Sequence, residues 1–248
     1  MPDLLKFKDL PGTLNRVYEI SSNAREDETM QQIASYALYR SVVTLPAMTR
    51  FWWSNESSQG NKQKASKFIE ERVRLSIAKR EVKLMSIAST TGRWDSNEFS
   101  VKGYAASGEI TAVMIKDDTK IEMKVKLPPS YPLKNVEVEC NTKIGIPESR
   151  WKRWTLQIIQ LLAQQDGAVI DAVLFWKKNV ERELEGLEPC PICYSIIHVK
   201  DSSLPSLKCQ TCSNKFHSSC LYQWFKSSGK NKCVICQQPF TGGGSPRG

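Results

Sequence analysis

Four pairs of soft metal ligands lie toward the end of this 248-residue chain. Each pair encloses two residues: Cys190 and Cys193, Cys209 and Cys212, His217 and Cys220, Cys233 and Cys236. The chain has eight cysteines and two histidines in all, so only Cys140 and His198 fall outside the set. Two intervening residues make a tight turn that lets both side chains reach one small ion, at about 2.3 Å for sulfur and about 2.0–2.1 Å for nitrogen. Four such pairs fill two ions completely. A shell closed by protein ligands marks a structural site, because a catalytic zinc keeps an open position. The spacing therefore predicts two structural zinc ions and no catalytic residue in this segment.

A disulfide framework is the competing reading. Met1–Leu10 (MPDLLKFKDL) lacks the apolar stretch and small-residue cleavage site of a secretory leader. A reducing compartment, and so a cytoplasmic protein, is the expectation. No run approaches the ~18 apolar residues of a membrane span, and no membrane partner is expected. Apolar residues make up 40% of the chain, enough for ordinary cores around the metal segment.

The gaps between successive pairs are fifteen, four and twelve residues. The four-residue gap, Ser213–Phe216, is awkward for two independent fingers in series. Interleaved sites fit better: Cys190, Cys193, His217 and Cys220 on one ion, Cys209, Cys212, Cys233 and Cys236 on the other. In this alternation the segment resembles a RING domain, with the ligand order of the RING-variant class. A PHD finger shares that order but usually carries an aromatic two residues before the seventh ligand, where this chain has Asn231. Trp224, four residues after the sixth ligand, stands where RING domains carry a tryptophan on a short helix.

The RING resemblance implies a partner and a surface. RING domains bind a ubiquitin-conjugating enzyme charged with ubiquitin and hold it ready for attack by a substrate lysine, by positioning rather than by covalent chemistry. Carried over position by position, Ile192, Trp224 and Pro239 are the expected docking residues. Gln237 occupies the place after the last ligand where many RING domains have a base that bridges ubiquitin and the conjugating enzyme, and Val234 replaces a frequent proline. Glutamine donates and accepts hydrogen bonds but carries no charge. His198 reads as a surface or packing residue, and Cys140 as a small buried hydrophobe.

Upstream, the period of the apolar residues changes twice. Ile33, Ala37, Leu38, Val42 and Leu45 predict a helix ended by Pro46, and Ile69, Val73, Ile77 and Leu84 predict a second. Phe51, Trp52 and Trp53 between them are expected to pack in the helical core. Glu109–Ile115, Lys120–Leu127 and Asn135–Cys140 read as strands, with Lys116–Thr119 as a hairpin turn. Two helices follow, with Trp151, Trp154, Ile158 and Leu161 on one face of the first and Val169, Val173, Trp176 and Val180 on one face of the second. Strands, a Pro-Pro-Ser-Tyr-Pro turn at 128–132 and then helices resemble an RWD domain, a relative of the ubiquitin-conjugating fold. Cys140 lies in a strand, so RWD without chemistry is the expectation.

RWD, then RING, with helices in front, resembles the carboxy-terminal end of the listerin family of ribosome-associated ubiquitin ligases. The strings that carry this are Tyr131–Val136, Trp176–Val180, Cys190–Ile197 and Lys215–Ser228. The implied organisation is a multidomain α+β chain. It comprises the end of a HEAT-like helical-repeat array over 1–90, an RWD-like α/β sandwich over 91–187, a small cross-braced binuclear zinc RING over 188–240 and a disordered tail over 241–248. The implied partners are a conjugating enzyme, ubiquitin, and a large ribosomal subunit with a stalled nascent chain, met by a monomer that is a fragment of a longer protein. From Cys190 onward seven basic residues face one acid, which is +6 of the total +9. A basic face suits ribosomal RNA or an acidic protein, or serves as a solubilising surface. A zinc-stapled binding module for ribosome or chromatin, without ligase activity, is the alternative reading.

Overall fold

The computed structural model describes residues 26–90, 98–141 and 144–241. The start of the helical region at 1–25 and all but the first residue of the expected tail lie outside them. Three helices open the described chain: α1 (Glu26–Thr44), α2 (Pro46–Asn55) and α3 (Gln59–Phe68). Proline at the first position of α2 fits a site whose N–H has no intrahelical partner. The Ser58 side chain caps α3 by accepting the Asn61 N–H at 3.3 Å. A π-helical turn, Ile69–Val73, carries α3 into α4 (Arg74–Thr90) without a break. That turn places Ile69 and Val73 at zero exposure within the main apolar core.

The sheet is a four-stranded antiparallel meander, β1 (Phe99–Tyr104), β2 (Glu109–Lys116), β3 (Thr119–Lys126) and β4 (Glu137–Cys140). Alternation sorts its two faces. Ile110, Ala112 and Met114 point inward beside Ile121, Met123 and Val125. The outer face carries cross-strand ion pairs, Lys124 to Glu109 and Lys126 to Glu139. The helices α5 (Glu148–Gln164) and α6 (Val169–Leu184) complete the domain. Trp151, Trp154, Ile158, Val169, Val173, Trp176 and Val180 are all buried. Leu162 rather than Leu161 closes the inward face of α5. The two are neighbours about 100° apart around the helix, and the structure turns the later one inward.

Four expectations change. β1 was not anticipated, and the fourth strand begins at Glu137, two residues later than expected. Phe51 and Trp52 are 66% and 44% exposed and stay outside the helical core, whereas Trp53 is half-buried and packs against it. Ile33 and Leu45 of the expected stripe are likewise exposed, while Val42 is buried as expected, with Tyr39 beside it. Leu38, Leu45, Met48, Trp52 and Phe68 line an open groove of about 790 Å³ between α1, α2 and α3.

The helical segment and the sheet domain share one continuous apolar core, from Tyr39 and Val42 through Ile77 and Met85 to Phe99 and Trp176. Gly103 of β1 shows how closely they pack: a Cβ there would lie 2.8 Å from the Val82 side chain on α4. Two carboxylates tie the same interface from opposite sides. Asp166, in the turn between α5 and α6, accepts the Ala47 N–H at the start of α2 at 2.7 Å. Glu81, on α4, accepts the Val169 N–H at the start of α6 at 2.9 Å. Each supplies an acceptor to a helix N-terminus, where backbone donors have no intrahelical partner.

Candidate metal centres and docking surface

The three Cys-x-x-Cys pairs fold into one repeated turn. The residue after each second cysteine, Tyr194, Ser213 and Gln237, has a left-handed backbone with φ of 60°, 61° and 58°. Its N–H returns to the first cysteine's carbonyl: Tyr194 to Cys190, Ser213 to Cys209, Gln237 to Cys233. The first cysteine's N–H in turn reaches the residue after that, at Ser195, Asn214 and Gln238. This closes the turn and points both sulfurs to one side. The fourth pair is built differently. His217 precedes α7 (Ser218–Ser228), and Cys220 lies in its first turn. A short hairpin, β5 (Leu207–Lys208) with β6 (Lys215–Phe216), links the second pair to the third.

These turns bring the ligands together in the interleaved order. Within the set Cys190, Cys193, His217 and Cys220, and within the set Cys209, Cys212, Cys233 and Cys236, the ligand atoms all lie within 4.8 Å of one another. The sulfurs of Cys209 and Cys236, and those of Cys212 and Cys233, are 3.7 Å apart. Tetrahedral ligands about 2.3 Å from one ion sit about 3.75 Å from each other. A disulfide would need about 2.05 Å. His217 presents Nδ1 to the sulfurs, 3.3 Å from Cys193 and 3.8 Å from Cys220. Its Nε2 lies 3.0 Å from the Ile196 carbonyl. A carbonyl only accepts, so Nε2 carries the proton and Nδ1 is free to ligate. Each set could thus hold one metal ion in a closed shell.

The surroundings pull the thiols in opposite directions. Burial pushes the Cys220 and Cys233 thiols up to about 12. The Asn214 amide, donating to the Cys212 sulfur, holds that thiol down to about 6. Thiols raised by burial keep their protons until a metal displaces them, so metal loading releases protons and weakens as pH falls.

Around the centres lies a small apolar core of Phe216 and Leu221, with Phe225 and Phe240 packed beside it. Trp224, on α7, is half-buried and donates its indole N–H to the Lys232 carbonyl at 3.2 Å. Lys232 bridges Pro239, so these bonds join Trp224 and Pro239 through one backbone link. Pro239 is exposed, and Ile192 is half-buried against the metal core on the first ligand turn. Gln237 is exposed, its amide folded back to donate to the Val234 carbonyl at 2.9 Å.

Two features escaped the sequence reading. Ile235 is 50% exposed and stands before Cys236 as Ile192 stands before Cys193. The repeated Cys-x-Ile-Cys was the available signal. His198 and Asp201 share the two-residue spacing, and their backbone makes the same turn, with Ser202 left-handed at φ 51°. Here the His198 Nδ1 lies 2.9 Å from the Asp201 carboxylate, a direct side-chain contact where the cysteine turns converge on an ion. Cys140 is half-buried on β4, packed against the main core.

A four-stranded meander with two trailing helices, joined to two interleaved Cys/His clusters, defines an α+β protein with a conjugating-enzyme-like domain and a RING-like metal module. Residues 99–183 match the family described as ubiquitin conjugating domain-like. Over most of its length the chain is related to the listerin family. It is 35% identical over 212 residues to the E3 ubiquitin-protein ligase listerin of Saccharomyces cerevisiae, covering 85% of this chain and 13% of that protein. It is 37% identical over 196 residues to that of Gallus gallus (79% and 11%) and 34% over 226 residues to that of Mus musculus (90% and 12%). The chain thus spans about an eighth of the length of the relatives it matches. Among the described residues no helix is long and apolar enough to cross a membrane.

Proposed function

We propose that this chain is the transfer end of a RING-type ubiquitin ligase. Its two Cys/His centres hold structural zinc. Ile192, Trp224 and Pro239, with Ile235 added, receive a ubiquitin-charged conjugating enzyme in the cytoplasm. The observation that carries the reading is Trp224. Its indole is pinned by one hydrogen bond to Lys232 yet stays part-exposed, beside a bridge to the exposed Pro239. An aromatic held rigidly at a small, partly apolar face is what a partner can use as an anchor. The conjugating-enzyme-like domain next to it carries only Cys140, half-buried in a strand, so the thioester belongs to the partner. When bound, zinc supplies rigid closure of the two ligand sets and no substrate activation.

Similarity to listerin supports a finer reading, in which the substrate is a stalled nascent chain on a large ribosomal subunit. The exposed lysines 200, 208, 215, 226, 230 and 232 give a physical reason for contact with ribosomal RNA.

Discharge of ubiquitin from a panel of charged conjugating enzymes onto free lysine tests the ligase reading. The chain should accelerate discharge from at least one enzyme. Trp224→Ala should lose about 2 kcal/mol of partner binding, roughly thirtyfold, while keeping two metals per chain and its melting temperature. No acceleration with any enzyme would favour the binding-module alternative. Loss of metal in Trp224→Ala would make the indole a core residue.

A further inference from the structure

One carboxylate outside the metal clusters reaches them through the backbone. Asp117 stands half-buried at the tip of the β2–β3 hairpin, beside the exposed Asp118. Both have left-handed backbones, φ 47° and 60°, as a two-residue hairpin turn requires and as Asp, Asn and Gly tolerate. The Asp117 Oδ2 accepts the Ile196 N–H at 2.5 Å and the Ile197 N–H at 3.2 Å. The Ile197 N–H and the Ile196 carbonyl belong to one peptide group. That carbonyl accepts the His217 Nε2–H at 3.0 Å, and the opposite ring nitrogen faces the sulfurs of Cys193 and Cys220.

Carboxylate, peptide group and imidazole therefore form one hydrogen-bonded relay, running from the sheet domain to the first metal centre. A charge accepting from the N–H of a peptide polarises its carbonyl. The polarised carbonyl holds the imidazole N–H more firmly, fixes the ring and makes its other nitrogen a stronger donor. Metal-bound histidines commonly have a carboxylate or a carbonyl in this place. Here both act in series, and the carboxylate comes from another domain. We propose that Asp117 is a positioning residue for the Cys190–Cys193–His217–Cys220 centre. It raises the metal affinity of that centre and leaves the Cys209–Cys212–Cys233–Cys236 centre alone, so that docking of the two domains is coupled to one metal site of the pair.

The proposal rests on the two-metal reading, and cobalt(II) separates the two ideas. Cys₃His and Cys₄ cobalt centres differ in their visible absorption, so a chelator titration of the cobalt-loaded 1–248 chain reads each centre by itself. In Asp117→Gly, which removes the acceptor and suits the turn, the Cys₃His band should bleach at chelator concentrations on the order of tenfold lower than in the parent chain. Asp117→Asn keeps an accepting oxygen without the charge, and should shift the same band by a smaller factor. Asp118→Asn should match the parent, and the Cys₄ band should hold in every variant. If Asp117→Gly misfolds, Asp117→Asn decides. A Cys₃His band unmoved in the Asp117 variants, or both bands weakened equally, overturns the proposal. A parent chain that binds no cobalt overturns the two-metal reading beneath it instead.

Discussion

At the scale of single residues, what the ligand turns demand is a left-handed backbone after each second cysteine. That geometry costs an ordinary side chain about 1–2 kcal/mol. Tyr194, Ser213 and Gln237 bear this cost because the turn's two hydrogen bonds and, when loaded, the metal over-determine it. The position of Gln237 is therefore set by the eighth ligand, and its side chain projects into solvent whatever its identity. Its amide returns to Val234, an interaction a longer cation would give up at little cost. Under the ligase reading, Gln237→Arg should speed lysine discharge about fivefold. A charge-assisted bond replaces a neutral one, a gain of about 1 kcal/mol. The backbone cost is unchanged, because both residues carry a Cβ. Single-turnover discharge equal to the parent would show that this position does not touch ubiquitin.

At the scale of elements, caps that cross between segments do more than propensity does. Glu81 is 8% exposed, and burial raises its carboxyl above the ordinary value near 4.5, offset in part by the Val169 N–H. The folded chain then holds this proton to higher pH than the unfolded chain does. The group's contribution is fully present below about 4.5 and declines as pH rises through the raised value. Glu81→Gln keeps an acceptor for α6 and cannot ionise. Its urea midpoint should gain on the parent's as pH rises above about 4.5. Parallel curves would show that Glu81 ionises without cost. The elements themselves were unequally legible. β2 and β3 announce themselves by alternation, Ile121, Met123 and Val125 against charged neighbours. β1 does not, because Gly103 replaces a strand-forming side chain where α4 must come close. The α1 stripe of Ile33, Leu38 and Leu45 has the right period, yet periodicity cannot say whether a stripe faces a core or an open groove.

At the scale of the molecule, net positive charge gathers on the metal module because acids are scarce there, and Lys226, Lys230 and Lys232 are all exposed. Phosphate contacts release counterions, so binding of this chain to large ribosomal subunits should fall steeply with salt. Reversing the three charges together should weaken co-sedimentation by about tenfold or more. It should leave ubiquitin discharge in solution nearly unchanged, since none of the three is a proposed docking residue. Co-sedimentation indifferent to both salt and reversal would assign binding to shape or apolar contact. What the sequence determined by itself is what short-range chemistry controls. Two-residue spacing and a four-residue gap leave few ways to close two tetrahedral shells, and alternation sorts the faces of β2 and β3. What only the tertiary structure decided are the partners across long separations. The helical segment shares its core with the sheet domain, Phe51 and Trp52 stay outside it, and Asp117 meets the peptide that holds His217. Such contacts depend on where whole elements pack. One carboxylate in a hairpin turn looks like any other until the fold places two backbone donors in front of it.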